Sequence, residues 1–293
     1  MTLYALYDRL GDQLRVDDCV ALITIKAARG STPQKAGAAM MVTKAGAISG
    51  TIGGGALEYS AIQDAVQFMS SGQTGDFQKL YPLGPDLGQC CGGFVEIETS
   101  VFSKEMSDEI AARRAALDED HPTPVALFGA GHVGRAVVIA LASLPFQVTW
   151  IDEREGIFPD AVPRNVTESQ IEDPVKMIAA LPQRSYCLIM THSHALDFAL
   201  VDAALRRDDL EYIGLIGSST KRARFHSRLR QSGVSLSALS RMVCPIGLPS
   251  LYGKDPAVIA ASVAADLLVR RQSAQTDLDI KPNIKQEKRL AMI

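Results

Sequence analysis

A chain of 293 residues is long enough for two domains that each bury a core of their own. Its hydrophobic share of 47%, charged share of 22%, net charge of -3 and pI near 6.0 exclude bulk binding to nucleic acid or to an anionic membrane. Any anion site must therefore be a local device, and the expected partner is a small molecule or a specific protein.

Leu3, Leu6, Tyr7 and Leu10 fall on one face of a predicted first helix. Its acidic character does not suit a leader, and no apolar run in the chain is long enough to span a bilayer. Five cysteines, an odd number, fit reduced thiols, so a cytoplasmic location is expected. Residues 19–28 predict a strand stopped by the turn Gly30-Ser31-Thr32-Pro33, and 38–43 and 47–52 predict two short strands around Lys44-Ala45-Gly46. Gly53-Gly54-Gly55 then opens a helix with Leu57, Ala61, Ala65 and Phe68 on one face. A strand is expected at 76–80 and a loop at 82–93. In the next strand Val95, Ile97, Thr99 and Val101 alternate with Glu96, Glu98 and Ser100, which predicts one buried and one wet face. Residues 1–105 thus read as a compact α+β domain. A linker follows at 106–123, made of a connecting helix and a charged, proline-broken stretch.

The second domain, 124–245, is organised around one stretch. An apolar strand meets Gly129-Ala130-Gly131-His132-Val133-Gly134, an amphipathic helix follows, and a second apolar strand stops at Asp152. This is the outline of a βαβ nucleotide-binding unit. Gly129 permits the tight turn, Gly131 lets amides approach a phosphate, Gly134 allows close helix packing, and Asp152 stands where a ribose-binding carboxylate belongs. The alternative is that the glycines serve packing alone. Strands at 186–191 and 212–216, each followed by a helix, imply a parallel, Rossmann-like sheet. Residues 246–293 then give a helix that starts at Pro256 and a polar tail beyond Arg271, expected to be disordered or folded by a partner.

Ligands of open parallel sheets sit outside the carboxyl ends of the strands, where three polar clusters are expected to share one crevice: the glycine turn with His132, Thr191-His192-Ser193-His194 with Asp197, and Gly217-Ser218-Ser219-Thr220-Lys221. Ser218 and Lys221 form a candidate anion cradle or an ordinary helix cap. His192 and His194 are candidate ligand contacts, but zinc lacks an obvious third ligand by spacing. In the first domain Gly53, Gly54 and Gly55, with Glu58 in the first helical turn, form a second candidate phosphate cradle. Cys90 and Cys91 read as accessible thiols for a metal or a sulfur-bearing ligand, or else as two semi-buried small residues. The combination suggests a large, anionic, sulfur-sensitive ligand held between domains. No activated nucleophile with a base emerges, so no catalytic residue is assigned.

These residues resemble the xanthine dehydrogenase accessory protein family (XdhC/CoxI) over nearly the whole chain, through GSTP at Gly30, GTIGGGALE at Gly50, GQCCGG at Gly88, GAGHVGRA at Gly129, Asp152-Glu153-Arg154, THSHALD at Thr191, YIGLIGSSTKRARF at Tyr212 and CPIGL at Cys244. The resemblance implies a protein that binds the molybdenum cofactor (molybdopterin), protects it and delivers it to apo-xanthine dehydrogenase. It also implies a cysteine desulfurase as second partner and a homodimer; Cys91 is the candidate metal contact of the accessible thiol pair. Gln34 and Ala39 stand where relatives carry basic residues, which takes the Gly30 turn off the site list. A cofactor chaperone without turnover is the leading reading. An NAD(P)-dependent oxidoreductase with His192 or His194 as acid-base group is the alternative, and a scaffold with a vestigial Rossmann unit is a third.

Overall fold

The computed structural model describes residues 2–83, 93–117, 121–251 and 253–290, the last of these by backbone alone beyond residue 274. The chain forms two compact units, Met1–His121 and Pro122–Ile293.

In the first unit, α1 (Leu3–Gln13) precedes β1 (Cys19–Arg29), β2 (Ala39–Thr43) and β3 (Ile48–Gly50). Helix α2 (Gly55–Ser70), β4 (Gly75–Leu83), β5 (Gly93–Ser103) and α3 (Ser107–Ala115) complete it. The strands make an antiparallel sheet of order β3-β2-β1-β5-β4. Alternation sends Ala21, Ile23, Ile25, Met40 and Val42 to the face covered by α2. It sends Val20, Leu22, Met41 and Phe102 to the face covered by α1 and Ile110 of α3.

Three expectations change here. The second face of β5 is not wet throughout, because Ser100 and Phe102 are buried beneath the helices. Helix α2 buries Met69 rather than Phe68, which is half-buried and stacks on Phe77 with ring centroids 4.1 Å apart. Finally, α3 packs into this unit's core instead of serving as linker.

The second unit is a parallel sheet. It runs through β6 (Thr123–Phe128), α4 (His132–Leu141), β7 (Phe146–Asp152), β8 (Val166–Gln170) and α5 (Val175–Ala180). Then come β9 (Tyr186–Ile189), α6 (His194–Leu205), β10 (Tyr212–Leu215), α7 (Ser219–Gln231), α8 (Leu236–Leu239), β11 (Met242–Val243) and α9 (Pro256–Leu290). The order β11-β10-β9-β6-β7-β8, all parallel, is that of a doubly wound Rossmann sheet. Helices α4 and α9 cover one face through Val137, Leu141, Val263 and Leu267, and α6 and α7 cover the other through Leu200, Val201, Phe225 and Leu229. Helix α9 is thus part of this unit's core. Its backbone stays helical to Leu290, where the polar pattern predicts an irregular tail. Gln, Glu, Lys and Leu in that stretch are good helix formers, with Pro282 the exception.

Candidate functional site

The turn after β6 is built as its glycines require. Gly129 has a φ of 116°, and a Cβ there would lie 2.2 Å from the Met190 carbonyl oxygen. A Cβ on Gly134 would lie 2.0 Å from the Gly129 carbonyl oxygen, so close packing of α4 needs a bare backbone. The Trp150 indole N–H donates to that same oxygen at 3.1 Å and ties the turn to β7.

Asp152 at the end of β7 is filled from within. Its Oδ2 accepts the Ala130 N–H at 2.7 Å, and Arg154 holds both oxygens, through Nε to Oδ1 at 2.9 Å and through a terminal nitrogen to Oδ2 at 2.8 Å. The Arg154 N–H adds a fourth bond. Where an adenine ribose would sit, among Gly129, Asp152, Thr191 and His192, the cavity is about 10 Å³, room for about one water. His132 is exposed at the start of α4, whose Gly131 cap supplies no side-chain bond, and the His192 Nε2 stands 3.6 Å from a Glu153 carboxylate oxygen. Asp152 is therefore a structural latch of the glycine turn rather than a free ribose acceptor.

Burial alone would raise the Asp152 carboxyl. The Arg154 fork and the Ala130 and Arg154 N–H groups outweigh it and bring the pKa down to about 2. The folded value lies below the unfolded one near 4, so the stabilisation is complete above about pH 4 and is lost as pH falls towards 2. Asp152→Asn should lower stability at neutral pH by about 2–3 kcal/mol and flatten that acid limb. Denaturant melts between pH 2 and 7 measure both, and an unchanged acid limb would contradict the latch.

The second cluster meets the glycine turn through Thr191 and His192 and the third cluster through Asp197. Asp197, in the first turn of α6 and 1% exposed, accepts the Thr191 N–H at 3.0 Å and the Thr191 hydroxyl at 2.8 Å. Its other oxygen holds the Lys221 ammonium at 2.6 Å, which also donates to the Ile216 carbonyl at 2.8 Å. Lys221 is thereby spent on a buried ion pair that fixes the loops after β9 and β10. Ser218 caps α7 by accepting the Lys221 N–H at 3.3 Å, and Ser193 caps α6 in the same way. His194 lies with Ser218, Lys221, Arg224 and Arg228 along an open groove of about 500 Å³.

Sequence reasoning missed a sizeable cavity in this unit. About 580 Å³ lies beyond the carboxyl ends of β10 and β11, closed below by α9. Its walls are mostly apolar, among them Ile216, Met242, Ile246 and Leu248, while Arg222, Ser240, Ser262, Asp266 and the thiol of Cys244 supply polar chemistry. That size and lining suit a small-molecule site. Ser262 straps the wall by accepting the Leu248 N–H at 2.9 Å, and a Cβ on Gly247 would come within 2.6 Å of its oxygen. Asp266 accepts the Tyr212 hydroxyl at 2.9 Å and the Arg270 Nε at 2.9 Å. Burial pushes the Cys244 thiol up, against the opposing pull of Lys221 and Arg222, and its Sγ faces the Ser218 carbonyl at 3.9 Å. The CPIGL motif was the local signal. Its meaning depends on α9, which packs opposite.

In the first unit the glycine cradle also holds an internal anion. Gly53, Gly54 and Gly55 all have positive φ, and the Glu58 carboxylate accepts the Gly54 N–H at 3.0 Å, the Ile52 N–H at 3.2 Å and the Thr51 hydroxyl at 2.7 Å. A Cβ on Gly53 would sit 2.5 Å from Pro33, so the GSTP turn packs on this loop. The expected phosphate position is thus taken by Glu58. Glu58→Gln should cost about 1–2 kcal/mol in urea unfolding, and an unaltered midpoint would show that these bonds contribute nothing. Cys90 and Cys91 lie outside the described residues. Among those described, no three His, Cys, Asp or Glu side chains gather as a metal site, and no helix is long and apolar enough to cross a membrane.

Two family models match the chain: the XdhC and CoxI family over residues 14–80 and the XdhC Rossmann domain over residues 125–267. The uncharacterized protein YqeB of Escherichia coli (strain K12) is 29% identical over 266 residues, which cover 90% of this chain and 46% of that relative, so the chain spans about half its length. A solved structure described as a xanthine dehydrogenase from Bacillus halodurans superposes with a TM-score of 0.74 at 20% identity, over 93% of this chain and 96% of that one, a likeness of fold. The chain belongs to the XdhC and CoxI family.

Proposed function

We propose that this chain binds the molybdenum cofactor (molybdopterin) in its Rossmann unit, shields it and hands it to apo-xanthine dehydrogenase without turnover of its own. Family membership ties the chain to xanthine dehydrogenase maturation. The observation that carries the reading is where the fold leaves room. At the glycine turn Asp152 is already engaged by Arg154 and the cavity beside it holds about 10 Å³, whereas a cavity of about 580 Å³ opens beyond β10 and β11.

The chemistry of that larger cavity fits the group. Arg222 and the turn at Gly217 suit a terminal phosphate, and apolar walls with the Ser240 and Ser262 hydroxyls suit a flat, polar-edged heterocycle. When bound, the cofactor supplies the oxo-metal centre that the recipient enzyme uses. A cysteine desulfurase as sulfur source, a homodimeric state and a cytoplasmic setting belong to the same proposal. So does a role for Cys90 and Cys91 at the metal end.

Anaerobic purification from cells that make the cofactor, followed by molybdenum and pterin analysis, tests it. Stoichiometric pterin that activates added apo-xanthine dehydrogenase is the expected outcome. Absence of pterin, together with thermal stabilisation by NAD(H), would favour the oxidoreductase reading instead.

A further inference from the structure

Helix α7 carries Lys221, Arg222, Arg224, His226, Arg228 and Arg230 within 13 residues and no acid, in a chain whose net charge is -3. Elsewhere in this unit several arginines are neutralised, Arg154 by Asp152, Arg206 by Asp202, Arg207 by Asp209 and Arg270 by Asp266, while Arg135 and Arg241 bond backbone carbonyls. On α7 only Lys221 has such a partner. Among the described residues Arg222, Arg224, Arg228 and Arg230 are exposed and meet no carboxylate. The arrangement opposes helix stability, since Arg224 and Arg228 are like charges four apart and Lys221 and Arg222 sit at the positive end of the dipole.

We propose that this face of α7, with the groove beside it, docks an acidic segment of a partner protein. Arg224 and Arg228 share one stripe that faces the groove with His194, beyond Lys221, whose ammonium is held by Asp197. The two free guanidinium groups start about 6 Å apart along the helix, at 1.5 Å per residue. Carboxylates on alternate residues of an extended segment recur about every 7 Å and match that spacing. The Arg228 guanidinium is already oriented, lying over the Phe198 ring at 4.2 Å. Among the described residues no carboxylate lines the groove, while the Arg224 and Arg228 side chains do. The surface is separate from the cavity assigned above to the cofactor, and the inference stands without that assignment.

The full chain is titrated against a fluorescein-labelled decaglutamate peptide at low and at physiological salt, beside Arg224→Glu and the milder Arg224→Gln/Arg228→Gln. The expected result is salt-sensitive binding, weakened about tenfold or more in Arg224→Glu and in the same direction by less in the neutral variant, with thermal stability no lower than wild type. The neutral variant decides the matter if the charge reversal does not fold. Equal affinity in wild type and variants would overturn the proposal. So would tighter binding of inorganic pyrophosphate or of a short single-stranded oligonucleotide, which would assign the face to phosphate rather than carboxylate.

Discussion

Lys221→Met is expected to destabilise the Rossmann unit by about 3–5 kcal/mol, the scale for stranding one member of a buried ion pair. The Lys221 side chain is 11% exposed and that of Asp197 2%, so solvent cannot take over the lost partner. Asp197 would keep its Thr191 bonds but lose the only cation within reach among the described residues. Replacing both, as Asp197→Asn/Lys221→Met, should recover part of the loss, because two neutral groups cost less to bury than one lone carboxylate. Thermal unfolding of the single and double variants measures this. Additive losses would mean that the pair is not coupled. Because the pair joins the loops after β9 and β10, its rupture should also loosen the Gly217 turn at the mouth of the large cavity.

The βαβ stretch was legible because Gly129 and Gly134 answer local demands that no other residue meets, whereas Gly131 has an ordinary φ of -76° and open space beside it. The elements that escaped are those without a hydrophobic period. β8 is an edge strand with Thr167, Glu168 and Gln170 exposed, α5 has six residues, and β11 has two. Phe68 and Met69 differ by one step of a helical face, a margin that spacing does not resolve.

At the sites, the partners of the candidate residues were not legible. A glycine loop followed by a helix signals an anion, but nothing in the order of residues tells whether that anion comes from outside or is Glu58 folding back from the first turn. The same holds for Asp152, whose neighbour two positions on, Arg154, turns a ribose acceptor into a latch. The large cavity draws on residues from Ile216 to Arg270, brought together only when α9 crosses the sheet, so no local pattern announces it.

The second large effect follows from this division of the sheet. Leu248→Trp puts an indole into the wall of the large cavity from a half-buried position, and Asp152→Asn disarms the glycine turn without touching that cavity. If the cofactor occupies the β10–β11 side, filling its wall should cost most of the binding, about tenfold or more in retained pterin, while the Asp152 variant keeps its load at permissive temperature. The most direct measurement is pterin and molybdenum per folded chain for wild type and these two variants, purified anaerobically side by side. A full load in wild type and Asp152→Asn with little in Leu248→Trp is the predicted result. A full load in Leu248→Trp with loss in Asp152→Asn would contradict it and return the ligand to the glycine turn.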